Sequence, residues 1–295
     1  MDFLYKLQGL RNPVLEKIFA FFTNFGEELL VIGVLCIIFW CINKKLAYKI
    51  CFTYFISGLM VQGLKVVLRI ERPWVRDPRL TVSDTVVDTA TGYSFPSGHT
   101  QGCTGLFSSL AFHYKKTAGF IICFTIIALL MFSRMFLGCH TPLDVLVSFG
   151  ITFITSIIVN YIFENFSSTN ATDIIVFLLI ELISGALIGY SCYIIFSGKA
   201  PEELAMDSIK AAGAGIGFGI GWFIEKKFID YDPKSTSTIW GQLLKLVIGI
   251  AIAFAFKQVP KVIFGSGIVV NVIRYALAVI WIVAIYPAII KKITR

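Results

Sequence analysis

Three short polar clusters between residues 65 and 144 hold the side chains of this 295-residue chain that are best suited to catalysis. The first contains Lys65, Arg69 and Arg72, spaced four and three residues apart. This spacing predicts that the three cations share one face of a helix, which Pro73 would end. Such a group is costly at the end of an apolar run without an anionic partner, although any one of these side chains could instead extend its charge to the membrane interface. The cluster therefore indicates an anion-binding site.

The second cluster is the run Pro96-Ser97-Gly98-His99, which stands directly before an apolar segment. A helix that begins here would direct free backbone N–H groups and the positive end of its dipole toward an anion. Gly98 has no side chain and lets the backbone approach a phosphate closely. His99 adds a proton that can be transferred near neutral pH.

The third cluster surrounds His140, between two further apolar segments. Thr141 can cap a helix that Pro142 begins, which places Asp144 one turn inside that helix. A carboxylate four residues after a histidine can accept one imidazole N–H, which fixes the tautomer and leaves the other nitrogen free as a nucleophile. Arg134 adds a cation nearby.

Together the clusters supply a histidine nucleophile with an orienting acid, a second histidine and several cations. In-line phosphoryl transfer needs this set, because a nucleophile attacks, the leaving oxygen is protonated and the charge on the equatorial oxygens is neutralised. The third histidine, His113, lies beside Lys115 and is interpreted as an interfacial residue. We expect no cofactor and no metal ion, since the one carboxylate pair that could hold a metal, Asp84 and Asp88, is better explained as a solvated loop.

The clusters match, in order and spacing, the three-part signature of the type 2 phosphatidic acid phosphatase superfamily, which the chain resembles without departure at any position. The resemblance covers residues 65–144 and depends on Lys65, Arg72 and Pro73, on Pro96, Ser97, Gly98 and His99, and on Ser133, Arg134, His140 and Asp144. It implies a helical membrane enzyme that hydrolyses lipid phosphates without a metal.

The same resemblance implies a role for most of these residues. His140 would be the nucleophile that becomes phosphohistidine, oriented by Asp144, and His99 would be the general acid for the leaving alcohol. The phosphate would be held by Lys65, Arg72, Ser97, Gly98 and Arg134. Arg69 lies outside the signature and is treated only as a residue at the rim of the site.

The composition identifies the chain as a polytopic membrane protein. Hydrophobic residues make up 57% of it and charged residues 15%, with a mean hydropathy of +0.80, whereas about a quarter of an ordinary soluble domain is charged. These figures exclude disordered, coiled-coil and disulfide-scaffold proteins. Much of the net charge of +8 lies in lysine pairs at the ends of apolar runs, which is typical of cytoplasmic loops and does not indicate nucleic-acid binding.

A membrane-spanning helix needs about 20 apolar residues, and the apolar segments predict an all-α bundle of nine spans. They are residues 27–43, 46–68, 98–113, 117–137, 142–163, 173–196, 209–224, 240–257 and 267–290. Lysine pairs after the first, third, seventh and ninth spans place the C-terminus inside. The N-terminus and the loops 69–97 and 134–141 would then lie outside.

Three further features concern packing. An N-terminal amphipathic helix within residues 1–25, with Leu15, Ile18, Phe19 and Phe22 on one face, is expected to lie in the interface or to pack on the end of the bundle. The alternating glycines of residues 213–221 predict close helix packing, and Gly185 and Gly189 are interpreted in the same way. Glu181 is costly in lipid, so it is expected to face protein or a cavity, as a hydrogen-bonded structural residue or as part of a site.

These observations predict a phosphatase that hydrolyses a lipid phosphate or diphosphate at the outer face of the membrane. Residues 1–165 would form the catalytic core, and residues 166–295 would add helices that form a lipid entrance, support the core or form a homodimer face. The nine-span layout is similar to that of the glucose-6-phosphatase and sphingosine-phosphate phosphatase branches of the superfamily. Two alternatives stay open: a phosphotransferase that uses the same residues, and a lipid transporter or scramblase that only binds phosphate.

The sequence does not choose among phosphatidate, phosphatidylglycerol phosphate, sphingoid-base phosphate and polyprenyl diphosphate as the substrate. Its richness in Phe, Ile and Lys favours a bacterial plasma membrane, and with it a polyprenyl diphosphate or a glycerophospholipid. The expected partners are the lipid substrate and the bilayer.

Overall fold

The computed structural model describes residues 1–236 and 238–294, which form an all-α bundle without a β-strand. The helices are α1 (Asp2–Gly9), α2 (Pro13–Thr23), α3 (Glu28–Ile37), α4 (Lys44–Leu68), α5 (Pro73–Arg76), α6 (Gly98–Tyr114), α7 (Thr117–Phe136), α8 (Pro142–Asn165), α9 (Asn170–Phe196), α10 (Glu202–Ile224), α11 (Ile239–Phe264), α12 (Ile268–Ile280) and α13 (Tyr286–Ile293). A π-helical segment, Ile38–Ile42, continues α3, and another, Trp281–Ile285, joins α12 to α13. The predicted fold class is confirmed.

Within the described residues, six helical stretches are long and apolar enough to cross a membrane. They are Lys44–Arg76, Thr117–Phe136, Pro142–Asn165, Asn170–Phe196, Ile239–Phe264 and Ile268–Ile293. A seventh arises if Pro13–Gly26 and Glu28–Ile42, which meet at a 49° bend, count as one span. The predicted number of nine is therefore not confirmed.

Two of the predicted spans, α6 and α10, are missing even when the bent pair is counted as a seventh, and there is a physical reason. The helix α6 has 17 residues, several of them Ser, Thr or Gln, and it packs among α4, α7 and α8. The helix α10 begins with acidic residues and packs among α4, α9 and α12. Helices that are enclosed by protein do not need the apolar surface of a lipid-facing helix.

The helix α10 packs closely against its neighbours, as its glycines predict. A Cβ atom on Gly213 would lie 2.6 Å from a backbone carbonyl oxygen of α12, and one on Gly215 would lie 2.5 Å from Oγ of Ser184 on α9. The prediction of close packing is confirmed there. It is wrong at Gly185 and Gly189, because a Cβ atom on either residue would meet no atom within 4 Å.

Glu181 lies on α9 beside α10, so it faces protein as expected. A Cβ atom on Gly219 would overlap its carboxylate. Its Oε1 atom is buried and has no hydrogen-bond partner among the described residues. The expected hydrogen-bonded structural role is therefore not what the structure shows for this atom.

The N-terminal segment forms two helices, α1 and α2, and both pack on α7. The side chain of Asn12 caps α2 by accepting the N–H of Leu15 at 3.0 Å, and Pro13 takes the first helical position. The Phe19 ring lies 4.4 Å from the Phe136 ring of α7, measured between centroids. Packing on the bundle is therefore confirmed for this segment.

The two loops that contain the polar clusters meet at one end of the bundle, called here the loop end. The N–H of Ser83 in the first loop donates to the carbonyl oxygen of Leu137 in the second at 3.0 Å. The lysine pairs collect at the opposite end, called here the lysine end, where Lys44 contacts Asp230 at 2.6 Å. Both loops share one end, as predicted, while the side of the membrane stays a prediction.

Candidate active site

The start of α8 positions His140 and Asp144 as the sequence predicts. Oγ1 of Thr141 accepts the N–H of Asp144 at 3.3 Å, and Oδ2 of Asp144 accepts the N–H of Thr141 at 2.8 Å. This reciprocal cap, with Pro142 in the first helical position, fixes the carboxylate. The same Oδ2 atom lies 3.4 Å from Nδ1 of His140. Both side chains are buried.

Ser94 completes this pair, although sequence reasoning assigned it no role. Its Oγ atom donates to Oδ2 of Asp144 at 2.6 Å and lies 3.4 Å from Nδ1 of His140. Because the hydroxyl hydrogen points at the carboxylate, an oxygen lone pair is available to the imidazole N–H. The only feature of the sequence that could have suggested a role for Ser94 is its position two residues before Pro96. That position does not predict a hydrogen bond to Asp144, which lies 50 residues further along the chain.

Arg72 lies on the other side of the imidazole. Its Nη1 atom is 2.9 Å from Nε2 of His140. Its Nε and Nη2 atoms donate to the carbonyl oxygens of Gly92 at 3.2 Å and Thr91 at 2.5 Å. A guanidinium only donates, so Nε2 of His140 accepts, and the imidazole proton lies on Nδ1, toward Asp144. The structure thus agrees with the predicted tautomer.

Burial holds the pKa of His140 well below its ordinary value of 6.5, and the positive charge of Arg72 lowers it further. The hydrogen bond and charge of Asp144 act in the opposite direction but are outweighed. The imidazole is therefore neutral at pH 7, which is the form that can act as a nucleophile.

The first cluster does not form one helical face, so that prediction is wrong. The helix α4 ends at Leu68, and Arg69 adopts a left-handed conformation with φ of 51° as its cap. Pro73 takes the first position of the short helix α5 and does not itself end α4. Arg72, which is extended before this proline, reaches the site because the chain turns after α4. The Arg69 side chain contacts the carbonyl oxygen of Lys199 at 3.4 Å.

A cavity of about 450 Å³ lies in front of His140. Five of the eight predicted site residues line it, namely Lys65, Arg72, Gly98, His99 and His140. The other three, Ser97, Arg134 and Asp144, are buried and are not among its lining residues. The structure therefore brings all three clusters to one space.

The turn before α6 differs in one respect from the prediction. Ser97 is the cap residue and Gly98 begins the helix. The N–H of Ser97 donates to the carbonyl oxygen of Asp144 at 3.1 Å, so it is not offered to an anion. The N–H groups of Gly98 and His99 lie in the first helical turn, where they have no partner within the helix. These two groups, rather than that of Ser97, suit a phosphate.

Arg134 is fully buried and forms the back of the site. Its Nη1 atom donates to Oγ1 of Thr23 at 2.8 Å, while its Nε and Nη2 atoms have no hydrogen-bond partner among the described residues. The backbone carbonyl oxygen of Arg134 accepts the N–H of His140 at 3.2 Å, so the two residues are held next to each other. A buried guanidinium with free donors is suited to bind phosphate oxygens.

His99 contacts a carboxylate that the sequence did not identify. Its Nε2 atom lies 2.9 Å from Oε1 of Glu27, the residue that caps α3. Gly26 permits this approach, because a Cβ atom there would overlap the backbone carbonyl of His99. Glu27 stands 72 residues before His99, at the start of an apolar segment, and nothing near it in the sequence marks it as a site residue.

The residues that sequence reasoning set aside lie outside the cavity. His113 is near the far end of α6, next to the lysine end. Asp84 and Asp88 are exposed in the loop between α5 and α6, as a solvated loop would be.

Two family models match the chain. That of the PAP2 superfamily matches residues 46–168, which contain all three clusters. That of the PAP2 superfamily phosphatase transmembrane extension matches residues 209–294. The chain belongs to the PAP2 superfamily. The family predicted from the clusters is thereby confirmed.

Curated relatives of this PAP2 chain are phosphatases by name. A probable sphingosine-1-phosphate phosphatase of Dictyostelium discoideum is 31% identical over 172 residues, which are 52% of this chain and 40% of that protein. Sphingosine-1-phosphate phosphatase 2 of Mus musculus is 22% identical over 271 residues, 85% of this chain and 74% of that protein. Undecaprenyl-diphosphatase BcrC of Bacillus subtilis (strain 168) is 28% identical over 159 residues, which are 53% of this chain and 77% of that protein. No solved structure matches the chain significantly.

The PAP2 match begins in α4 and ends just after α8, whereas the extension match covers most of α10 and all of α11 to α13. The division into a catalytic core of residues 1–165 and accessory residues 166–295 stays a prediction. The cavity in front of His140 is nevertheless lined from both parts, since Asp207 and Tyr275 border it as well.

Proposed function

We propose that this PAP2 chain is a metal-independent phosphatase that hydrolyses a lipid phosphate or diphosphate through a phosphohistidine intermediate. The proposal depends above all on His140, which borders the cavity with Nδ1 toward Asp144 and Nε2 toward Arg72. An oriented, neutral imidazole is what nucleophilic attack on phosphorus requires. A transporter that only binds phosphate would have no use for this orientation. The names of the relatives support both lipid phosphates and lipid diphosphates as substrate classes.

In the first step, Nε2 of His140 attacks phosphorus. The N–P bond forms while the P–O bond to the leaving group breaks, and the electron pair of that bond stays on the leaving oxygen. His99, which lines the same cavity, donates the proton that this oxygen takes up. Asp144 stabilises the positive imidazole that forms, because Nδ1–H still faces its carboxylate.

In the second step, a water molecule attacks the phosphohistidine. His99 accepts a proton from the water, the N–P bond breaks, and its electron pair returns to Nε2 of His140. Inorganic phosphate is released. In both steps the equatorial oxygens are held by Lys65, Arg72, Arg134, the N–H groups of Gly98 and His99 and the hydroxyl of Ser97. Their positive charges and dipoles replace the role of a metal ion.

We place the site at the extracytoplasmic face. The support is the charge asymmetry of the bundle: the lysine pairs collect at the lysine end, where Lys226 contacts Asp173 at 2.6 Å, and such clusters favour the cytoplasm. The cations of the loop end oppose this rule, and Lys65, Arg72 and Arg134 are accounted for by phosphate binding. A bacterial plasma membrane as the location stays a prediction.

The test is phosphate release by purified protein in detergent, with a chelator present, from a panel of phosphatidate, phosphatidylglycerol phosphate, sphingoid-base phosphate and polyprenyl diphosphate. We expect release by the wild type and by the matched control His113→Ala, and none by His140→Ala. Release by His140→Ala at the wild-type rate would refute the nucleophile. A folded wild type that releases no phosphate would refute hydrolysis, and added alcohol acceptors would then test phosphotransfer.

A further inference from the structure

The cavity in front of His140 extends far beyond the catalytic residues. It continues along α4 from Lys65 past Leu59 and Phe55 as far as Tyr48. The separation of seventeen positions between Tyr48 and Lys65 corresponds to about 25 Å at the helical rise of 1.5 Å per residue. The hydrocarbon core of a bilayer is roughly 30 Å thick, so the cavity follows most of that depth.

Charge is confined to the loop end of this cavity. The charged lining residues there include Lys65, Asp207 and Lys210, together with the catalytic groups. The part between Phe55 and Tyr48 is lined by apolar, cysteine and tyrosine side chains. The transmembrane extension supplies the wall opposite α4, through Ala214 of α10 and neighbouring residues of α11 and α12. A phosphate at the loop end would therefore have an apolar space directly behind it.

The cavity also opens sideways, between α3 and α11. Leu29 of α3 and Phe254 and Ile250 of α11 line it, yet they are 64%, 49% and 40% exposed. An ion pair between Glu28 and Lys257, at 3.0 Å, joins the two helices near the loop end of this opening. The sides of a membrane-spanning bundle face lipid chains, so the opening leads into the hydrocarbon region.

We propose that this cavity binds a hydrocarbon chain of the lipid substrate along most of the depth of the membrane. The proposal rests on the proposed function, because a phosphate at His140 fixes one end of the ligand. The chain enters between α3 and α11, and the transmembrane extension forms part of the substrate site.

Two substitutions fill the cavity from opposite walls. Gly33 on α3 lines the opening, and a Cβ atom there would meet no atom within 4 Å, so Gly33→Phe introduces its side chain without a clash at Cβ. The change also removes a helix-destabilising glycine. Ala214→Phe narrows the cavity from α10. Gly189→Phe is the matched control, since Gly189 is equally open but lies outside the cavity.

The measured quantity is the ratio of kcat/KM for a long single-chain alkyl phosphate to kcat/KM for a short water-soluble phosphate ester, both supplied as monomers. Each buried CH2 group contributes roughly a factor of four, so the wild-type ratio should rise with chain length and level off once the cavity is full. We expect both cavity-filling variants to lower this ratio about tenfold or more, which is the loss of roughly two buried CH2 groups. Gly189→Phe should retain the wild-type ratio.

Two results would overturn the proposal. One is a wild-type ratio in both Gly33→Phe and Ala214→Phe. The other is a wild-type ratio that does not rise with chain length, since a cavity that binds the chain should favour the longer substrate.

Binding of a fluorescent, non-hydrolysable single-chain phosphonate separates this proposal from the proposed function. If the wild type releases no phosphate from any substrate but binds the probe, and the two filled variants bind it about tenfold more weakly, the tail site stands and the phosphatase activity fails. If the wild type releases phosphate but the filled variants bind the probe as the wild type does, the tail site fails and the phosphatase stands.

Discussion

Nη1 of Arg72 lies 2.9 Å from Nε2 of His140, so one cation both borders the phosphate end of the cavity and holds the nucleophilic nitrogen. The guanidinium stays in place through the carbonyl oxygens of Thr91 and Gly92, which occupy its other nitrogen atoms. Nη1 also donates to the carbonyl oxygen of Cys139 at 3.1 Å, so the planar group is fixed without the imidazole. When Nε2 uses its lone pair to attack phosphorus, the Nη1 N–H that it accepted becomes available to a phosphate oxygen. Arg72 thus determines the tautomer before the reaction and neutralises charge during it.

The tautomer of His140 can be observed directly by nitrogen NMR, because the chain has three histidines. We expect Nε2 to be unprotonated and Nδ1 to carry the proton. Since the pKa of His140 lies well below 6.5, the imidazole should stay neutral as the pH falls through 6.5 and should gain its second proton only at lower pH. His113→Asn simplifies the assignment. Titration of His140 at or above pH 6.5 would contradict the assigned environment.

Replacing Arg72 by lysine tests the need for a fork of donors. Arg72→Lys keeps the charge but cannot reach His140 and the carbonyl oxygens of Thr91 and Gly92 together. We expect kcat to fall about 10²- to 10³-fold, as for loss of a fixed donor to transition-state charge. The control is Arg69→Lys, whose side chain contacts Lys199, and it should remain within about twofold. A fully active Arg72→Lys would show that charge alone suffices.

Glu27→Gln tests whether the carboxylate positions the proposed acid. The amide can still accept a hydrogen bond from Nε2 of His99, but it lacks the negative charge that favours a protonated imidazole. We expect kcat to fall roughly tenfold or more, within the range of general acid catalysis, with the pH profile displaced to lower pH. Glu71→Gln, an exposed change at the same end of the bundle, is the control. An unaltered pH profile in Glu27→Gln would argue for a purely structural contact.

Gly213→Ala tests the close approach of α10 and α12. The new Cβ atom would lie 2.6 Å from a backbone carbonyl oxygen, so the helices must separate, and we expect a loss of about 1–3 kcal/mol in the free energy of unfolding. Gly185→Ala is the matched control on α9, where the Cβ atom meets open space and should be neutral or slightly stabilising. Thermal unfolding in detergent measures both. Equal Tm values for the two variants would disprove the packing constraint.

The helix cap and the close-packing glycines are predicted correctly from the sequence, because each depends on residues only a few positions apart. Thr141, Pro142 and Asp144 form the cap that their order predicts, and the glycines at 213 and 215 face neighbouring helices as their spacing predicts. The prediction for the first cluster is wrong because helical spacing places residues on one face only while the helix continues. The spacing of Lys65, Arg69 and Arg72 suggested one helical face, but the helix ends at Leu68.

The difference between nine predicted spans and six or seven candidate spans arises because hydropathy does not show whether a helix faces lipid or is enclosed by protein. The predicted spans include the polar helix α6 and residues 209–224 of α10, yet neither α6 nor α10 has the length and apolarity of a helix that faces lipid. Both are surrounded by other helices, and a sequence does not state which of its helices will be enclosed.

The sequence by itself determined the membrane class, the family and the chemistry of the three clusters, because residue types, hydropathy and caps are properties of short stretches of chain. Only the tertiary structure placed Ser94 beside Asp144, Glu27 beside His99, and the transmembrane extension around the cavity. These contacts join residues 50 or more positions apart, and they form only when packed helices bring distant segments together.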